Sequence, residues 1–210
     1  MSFGTFLTSI CVSLGIALSG CASIGAGIPG GGGEADTLLI NASAAFSRAD
    51  KAVTALGSAV LSKKDLEERQ ARIDEINKIP DLKEKEAKLL AEAEEFHAKM
   101  LKKLETEQAK FEAAAADAKK KVMIERALLN LIWLALYDAN LVNQITSMVS
   151  NPSPTIAAQL DKLTHSAELI GRQGKLLGEA MPHIKTLATK VGITAFPVSA
   201  AEDPGEIGEI

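Results

Sequence analysis

Apolar positions recur in alternating steps of three and four along three stretches of this chain, the spacing of helices that pack knobs into holes. The first stripe is Leu39, Ala42, Phe46, Ala49, Val53, Leu56 and Val60. It predicts a helix from about Ala35 to Asn77, with Asp36 as its N-cap. The phase slips between Val60 and Leu66, at Ser62-Lys63-Lys64-Asp65. That tetrapeptide reads as a capping box opening a new helix or as a stutter in one long helix. We expect the continuous helix.

The second stripe runs Leu89, Ala93, Phe96, Met100, Leu104, Phe111, Ala115, Ala118 and Val122. It predicts a helix from about Asp81 to Val149, ~100 Å long if unbroken. Its second half, Leu128 to Tyr137, is apolar nearly all round, so it should be covered on more than one face. A bilayer span needs ~20 apolar residues. This run is shorter, is broken by Asn130 and is flanked by Arg126 and Asp138, so a buried bundle helix is expected.

The third helix starts at Ser153-Pro154, a cap followed by proline at the first helical position. Its stripe is Ile156, Leu160, Leu163, Ala167, Ile170, Gly174, Leu177, Met181, Ile184, Ala188 and Val191. Pro182 should kink or restart it, and Gly192 should stop it. Gly174, on the stripe, reads as a close-packing point. Prolines at Ile79-Pro80-Asp81 and Asn151-Pro152-Ser153-Pro154 divide the helices. No strand-like alternation competes. The expected fold is therefore all-α: an elongated antiparallel helical hairpin or coiled coil merging into a three-helix bundle over residues 36–191. Residues 192–210, with Pro197, Pro204, Gly205, Gly208 and four acids, read as a flexible acidic tail.

Charge sharpens the hairpin. No charged residue precedes position 34, and thirty fall between Ser62 and Lys121, fifteen of each sign and interleaved. Such mixing marks a solvated helical face. The one-sided basic field that nucleic acid requires is absent. The first two helices are expected to pair antiparallel over ~60 Å, with an exposed tip near residues 79–81.

Candidate chemistry is sparse. The histidines are His97, His165 and His183. Glu94 and His97 make one Glu-x-x-His, whereas a di-metal carboxylate bundle needs two, so the pair reads as a solvated surface pair and no metal site is expected. Gly30 to Gly33 lacks the Gly-Lys-Ser/Thr ending of a phosphate loop, and there is no Gly-x-Ser-x-Gly elbow. Neither an enzyme nor a cofactor is expected.

The first 21 residues carry the sharpest motif. An uncharged apolar stretch from Met1 to Gly20 ends in Leu18-Ser19-Gly20-Cys21. A short apolar core followed by small residues is the pattern of a secretory signal peptide, although no Lys or Arg precedes Arg48 to supply a positive leader. The Leu-Ser-Gly-Cys ending resembles the lipobox of bacterial lipoproteins. The resemblance implies a signal peptide over residues 1–20, cleavage before Cys21, diacylglycerol on its sulfur and acylation of the new amino terminus. Ala22, rather than Asp, after that cysteine resembles the outer-membrane sorting pattern of Gram-negative lipoproteins, facing the periplasm. Cys11 would leave with the signal peptide. Residues 21–35, with their four consecutive glycines, would form a tether of ~20 Å.

The function these features imply is a membrane-anchored envelope lipoprotein serving as a non-enzymatic scaffold or adaptor. It would hold an envelope protein partner through coiled-coil-type contacts. Two alternatives remain open: a binding protein holding lipid or another apolar small molecule within the bundle, and a self-assembling structural protein, a homo-oligomer.

Overall fold

The computed structural model describes residues 34–150 and 154–207. These form an all-helical bundle of α1 (Glu34–Val60), α2 (Lys63–Asn77), α3 (Leu82–Thr106), α4 (Gln108–Ala116), α5 (Ala118–Ser150), the single turn α6 (Pro154–Ala157) and α7 (Leu160–Lys190). Lipobox, tether residues up to Gly33 and the Ser153 cap lie outside the described residues.

The three longest helices, α1, α5 and α7, make the core. Alanines line the inner face of α1: Ala35, Ala42, Ala45, Ala49 and Ala52 are all at most 1% exposed. Such small side chains bring neighbouring backbones close, and the bulk comes from α5, where Leu128, Leu131, Trp133 and Leu134 are completely buried. The apolar run therefore sits inside the bundle. Among the described residues no helix is long and apolar enough to cross a membrane. Antiparallel α1 and α5 are joined by Arg48 and Asn130, and α5 and α7 by Asp138 and Gln173.

The first expected helix is two helices. At the break the Ser62 hydroxyl accepts the Asp65 N–H at 3.2 Å, while the Asp65 carboxylate accepts the Ser62 N–H at 3.1 Å. This is the capping box, and it prevails over the stutter because α2 then folds back along α1, where Arg69 reaches Thr54 and Asp50. The chain turns again at Ile79-Pro80, and Asp81 caps α3 by accepting the Glu84 N–H at 2.8 Å. The hairpin tip is where the sequence puts it. The pair behind it is shorter than expected: α2 has 15 residues, ~22 Å. Asp36, expected as a cap, instead lies in the first turn of α1 and pairs with Lys162.

The second expected helix is three. Glu107, at φ −111° and ψ 34°, separates α3 from α4, and Asp117, at ψ 121°, separates α4 from α5. The Asp117 carboxylate accepts the N–H groups of Lys119 and Lys120 at 2.9 and 3.1 Å. A short acid that bonds its own backbone offers an alternative to continuing the helix, and Ala113 to Ala116 carry too little side chain to oppose it. α3 runs parallel to α7, bridged at a nearly constant sequence offset by Glu86–His165, Glu94–Arg172 and Glu105–His183 at 2.9, 2.7 and 3.0 Å.

α7 continues through Pro182. It ends in a Schellman motif: Gly192 takes φ +92°, its N–H reaches the Thr189 carbonyl, and the Ile193 N–H reaches that of Ala188. A Cβ built at Gly174 meets nothing within 4 Å, so this glycine is not a close-packing point. The expected flexible tail is instead laid back over the bundle as far as Ile207, which packs against the core.

Candidate functional site: polar clusters inside the bundle

The sequence-predicted site residues, Leu18, Ser19, Gly20 and Cys21, lie outside the described residues. Within those residues the structure assembles three polar clusters that the stripes alone do not reveal.

The first is an ionic clamp at the junction of α1, α2 and α3. Arg69 is 3% exposed. Its guanidinium donates to Asp50 at 2.7 Å, Glu92 at 3.2 Å and the Thr54 hydroxyl at 2.8 Å. It also stands 3.8 Å from the centre of the Phe96 ring. On its other side Asp50 meets the His97 ring at 3.0 Å, and Arg72 reaches Glu92 at 3.3 Å. Burial alone would raise the Asp50 carboxyl; the adjacent Arg69 charge and the His97 hydrogen bond outweigh it and hold it at about 2. Glu94 and His97 therefore do not form the expected solvated pair. His97 is buried in the clamp while Glu94 faces Arg172. With its charges already paired, the clamp locks α2 onto α1 and α3.

The second cluster is Asp138 with Gln173. Asp138 is 3% exposed. One carboxyl oxygen accepts from the Gln173 amide at 3.1 Å, and the other has no hydrogen-bond partner. Burial pushes this acid up to about 7, against a smaller lowering by Gln173. The neighbouring Tyr137 hydroxyl is pushed up to about 12, first by burial and then by the Asp138 charge. Near neutrality this buried carboxyl therefore exchanges its proton.

The third cluster fastens the C-terminal strap. Arg48 forks onto both oxygens of Asp203, at 3.0 and 2.5 Å, and lies 4.4 Å from the centre of the Trp133 ring. Its hydrogen bonds hold the Asp203 carboxyl below the usual carboxylate range. Gly205, at φ +83°, closes a turn whose N–H is accepted by Asp203 at 2.8 Å.

Asn130 and Asp138 were visible in the sequence as polar interruptions of an apolar run, a signal that each needs a specific partner. Arg48, Arg69 and Asp203 carried no such mark, because each reads as an ordinary surface charge. Among the described residues no group of three or more His, Cys, Asp or Glu side chains could hold a metal ion. A small, partly open cavity bounded by Phe46, His97, Leu131 and Gln173 measures ≈ 10 Å³, about one water. That cavity by itself is too small for a lipid or other apolar molecule; a larger, open hollow of ≈ 550 Å³ lies between the end of α1 and α4, lined by Val60, Leu61, Ala113 and Ala114. No family model matches the chain, and neither does any curated protein or solved structure.

Proposed function

We propose that this chain is a lipid-anchored lipoprotein of the bacterial envelope, working as a non-enzymatic helical scaffold or adaptor. The observation that carries the reading is Leu18-Ser19-Gly20-Cys21 closing an uncharged apolar stretch, with a glycine-rich tether leading to the first residue of α1. Two or more acyl chains on Cys21 would anchor the protein stably, and the Ala22 position favours the outer membrane, with the bundle in the periplasm. A bundle locked internally by buried ion pairs suits a scaffold, since its charged outer faces stay in register for a partner.

Metabolic labelling with a palmitate analogue tests the anchor. The native chain should be labelled and sediment with membranes, and Cys21→Ala should lose both; equal labelling of the two sinks the proposal. Photo-crosslinking in the host tests the adaptor role. Probes belong at Glu68 and Lys88, which are exposed, and not at Glu92, which is buried. A discrete protein crosslinked there, and absent with a probe on α7, is the expected result. Self-assembly is the second reading. It is favoured by Val142 and Val149, seven residues apart on α5 and 46% and 53% exposed; light scattering across protein concentration separates it from a monomer.

A further inference from the structure

The C-terminal strap is gripped through its backbone. Arg126, Asn130 and Trp133 stand four and three apart on α5, hence on one face, and each donates to a strap carbonyl. Arg126 reaches Glu206 at 3.1 Å, Asn130 reaches Gly205 at 3.1 Å, and the Trp133 indole reaches Ala200 at 3.0 Å. From α1, Arg48 adds the fork on Asp203 and a further bond to the Gly205 carbonyl at 2.8 Å. The bundle orients this arginine without help from the strap: Asn130 accepts its Nε–H and the Trp133 ring lies against its guanidinium.

Main-chain bonds supply affinity with little demand on side chains. The one side chain of the strap that is read by a charge is Asp203. Ala201, Glu202, Asp203, Gly205 and Glu206 are themselves exposed and Ile207 supplies the apolar contact with the core, so the strap is held mainly by hydrogen bonds and one ion pair. Segments with few buried apolar contacts open most readily.

We propose that this face of α1 and α5 is a docking groove for a turn-forming, carboxylate-bearing segment of a partner protein, which residues 200–207 fill in cis until such a segment displaces them. The inference rests on the adaptor reading and names the chemistry of its partner: a backbone that turns as Asp203-Pro204-Gly205 does, with one Asp or Glu placed for Arg48. Tethering gives the strap an effective concentration of ~mM order. A partner must therefore present its segment at high local concentration.

The test uses the full chain and a synthetic peptide of residues 199–207, with Trp133, the single tryptophan, as the reporter. Asp203→Lys sets a positive charge against Arg48 and frees the groove. The peptide should bind this variant about tenfold or more tighter than the native chain, a difference of about 1.4 kcal/mol or more, and should restore native Trp133 emission. Adding Arg48→Ala should abolish the gain. If circular dichroism shows the lysine variant unfolded, Asp203→Asn takes its place. Equal binding to native and variant chains, or binding that ignores Arg48, overturns the groove. A host protein crosslinked at Glu68 alongside that result would leave the adaptor role standing without this groove. Arg48-dependent binding with no crosslinked host protein would support the groove and remove the support for the adaptor role.

Discussion

Replacing Asp138 by asparagine should stabilise the protein at neutral and alkaline pH and leave it nearly unchanged in acid. The carboxyl lies between α5 and α7 and is 3% exposed. Its acid strength moves from the ordinary 3.8 to about 7 in the folded chain. A folded state that raises a carboxyl binds its proton more tightly than the unfolded state does. The stability is therefore complete below about pH 3.8, declines as pH rises to about 7, and is flat above. Each pH unit in that window is worth about 1.4 kcal/mol, so the accumulated loss at pH 8 is about 4 kcal/mol. Asparagine keeps the acceptor for Gln173 and places a neutral amide where the protonated oxygen stood, so it does not ionise. The variant should exceed the native chain by about 2 kcal/mol at pH 5.5 and about 4 kcal/mol at pH 8. Urea unfolding followed by circular dichroism reads this directly: with a slope of about 2 kcal/mol per molar, the midpoint at pH 8 should rise by about 2 M. Taking the difference between the two proteins removes the other titrating groups. A difference that stays constant from pH 4 to pH 8, or a variant less stable at pH 8, would refute the argument.

Three further outcomes follow from the clamp, the cap and the glycines. Arg69→Met leaves Asp50 and Glu92 buried without their shared cation and should cost about 3–5 kcal/mol; a melting temperature within a degree of the native value would contradict this. Ser62→Ala removes the capping box that ends the α1–α2 turn and should cost about 1 kcal/mol by chemical unfolding; no loss would mean that α2 is held by the clamp alone. Gly171, Gly174 and Gly178 each have open space around a built Cβ, so alanine at each should add about 0.5–1 kcal/mol of stability, whereas a destabilised variant would reveal packing at that site.

The long stripes of α1, α3 and α7 were legible because burial of one helical face writes a three-four period into the residues. The same holds for the buried Leu128–Tyr137 run, the hairpin tip at Pro80 and the stop at Gly192, where local chemistry and tertiary position agree. The break at Glu107 was not legible, since Ala, Lys and Gln favour helix on both sides of it; at Asp117 the carboxylate that accepts the Lys119 and Lys120 N–H groups is a local signal, masked in the sequence by the helix formers around it. Ser62 was legible as one of two readings, and the packing of Arg69 against Asp50 chose between them.

Sequence by itself determined the helical class, most of the face that α1, α3 and α7 bury (Val122 and Leu160, on the stripes, are exposed) and the lipobox expectation, because propensity, period and a contiguous motif are local properties. Tertiary structure alone decided which charges are solvated. Arg69, Glu92 and His97 lie in a segment of interleaved charge that reads as a wet surface, yet they close around Asp50 from residues far away in the chain. It also decided that the acidic C-terminal residues form a strap, because the donors that hold them stand on α1 and α5, and a hydrogen bond between residues so far apart has no period for a sequence to display.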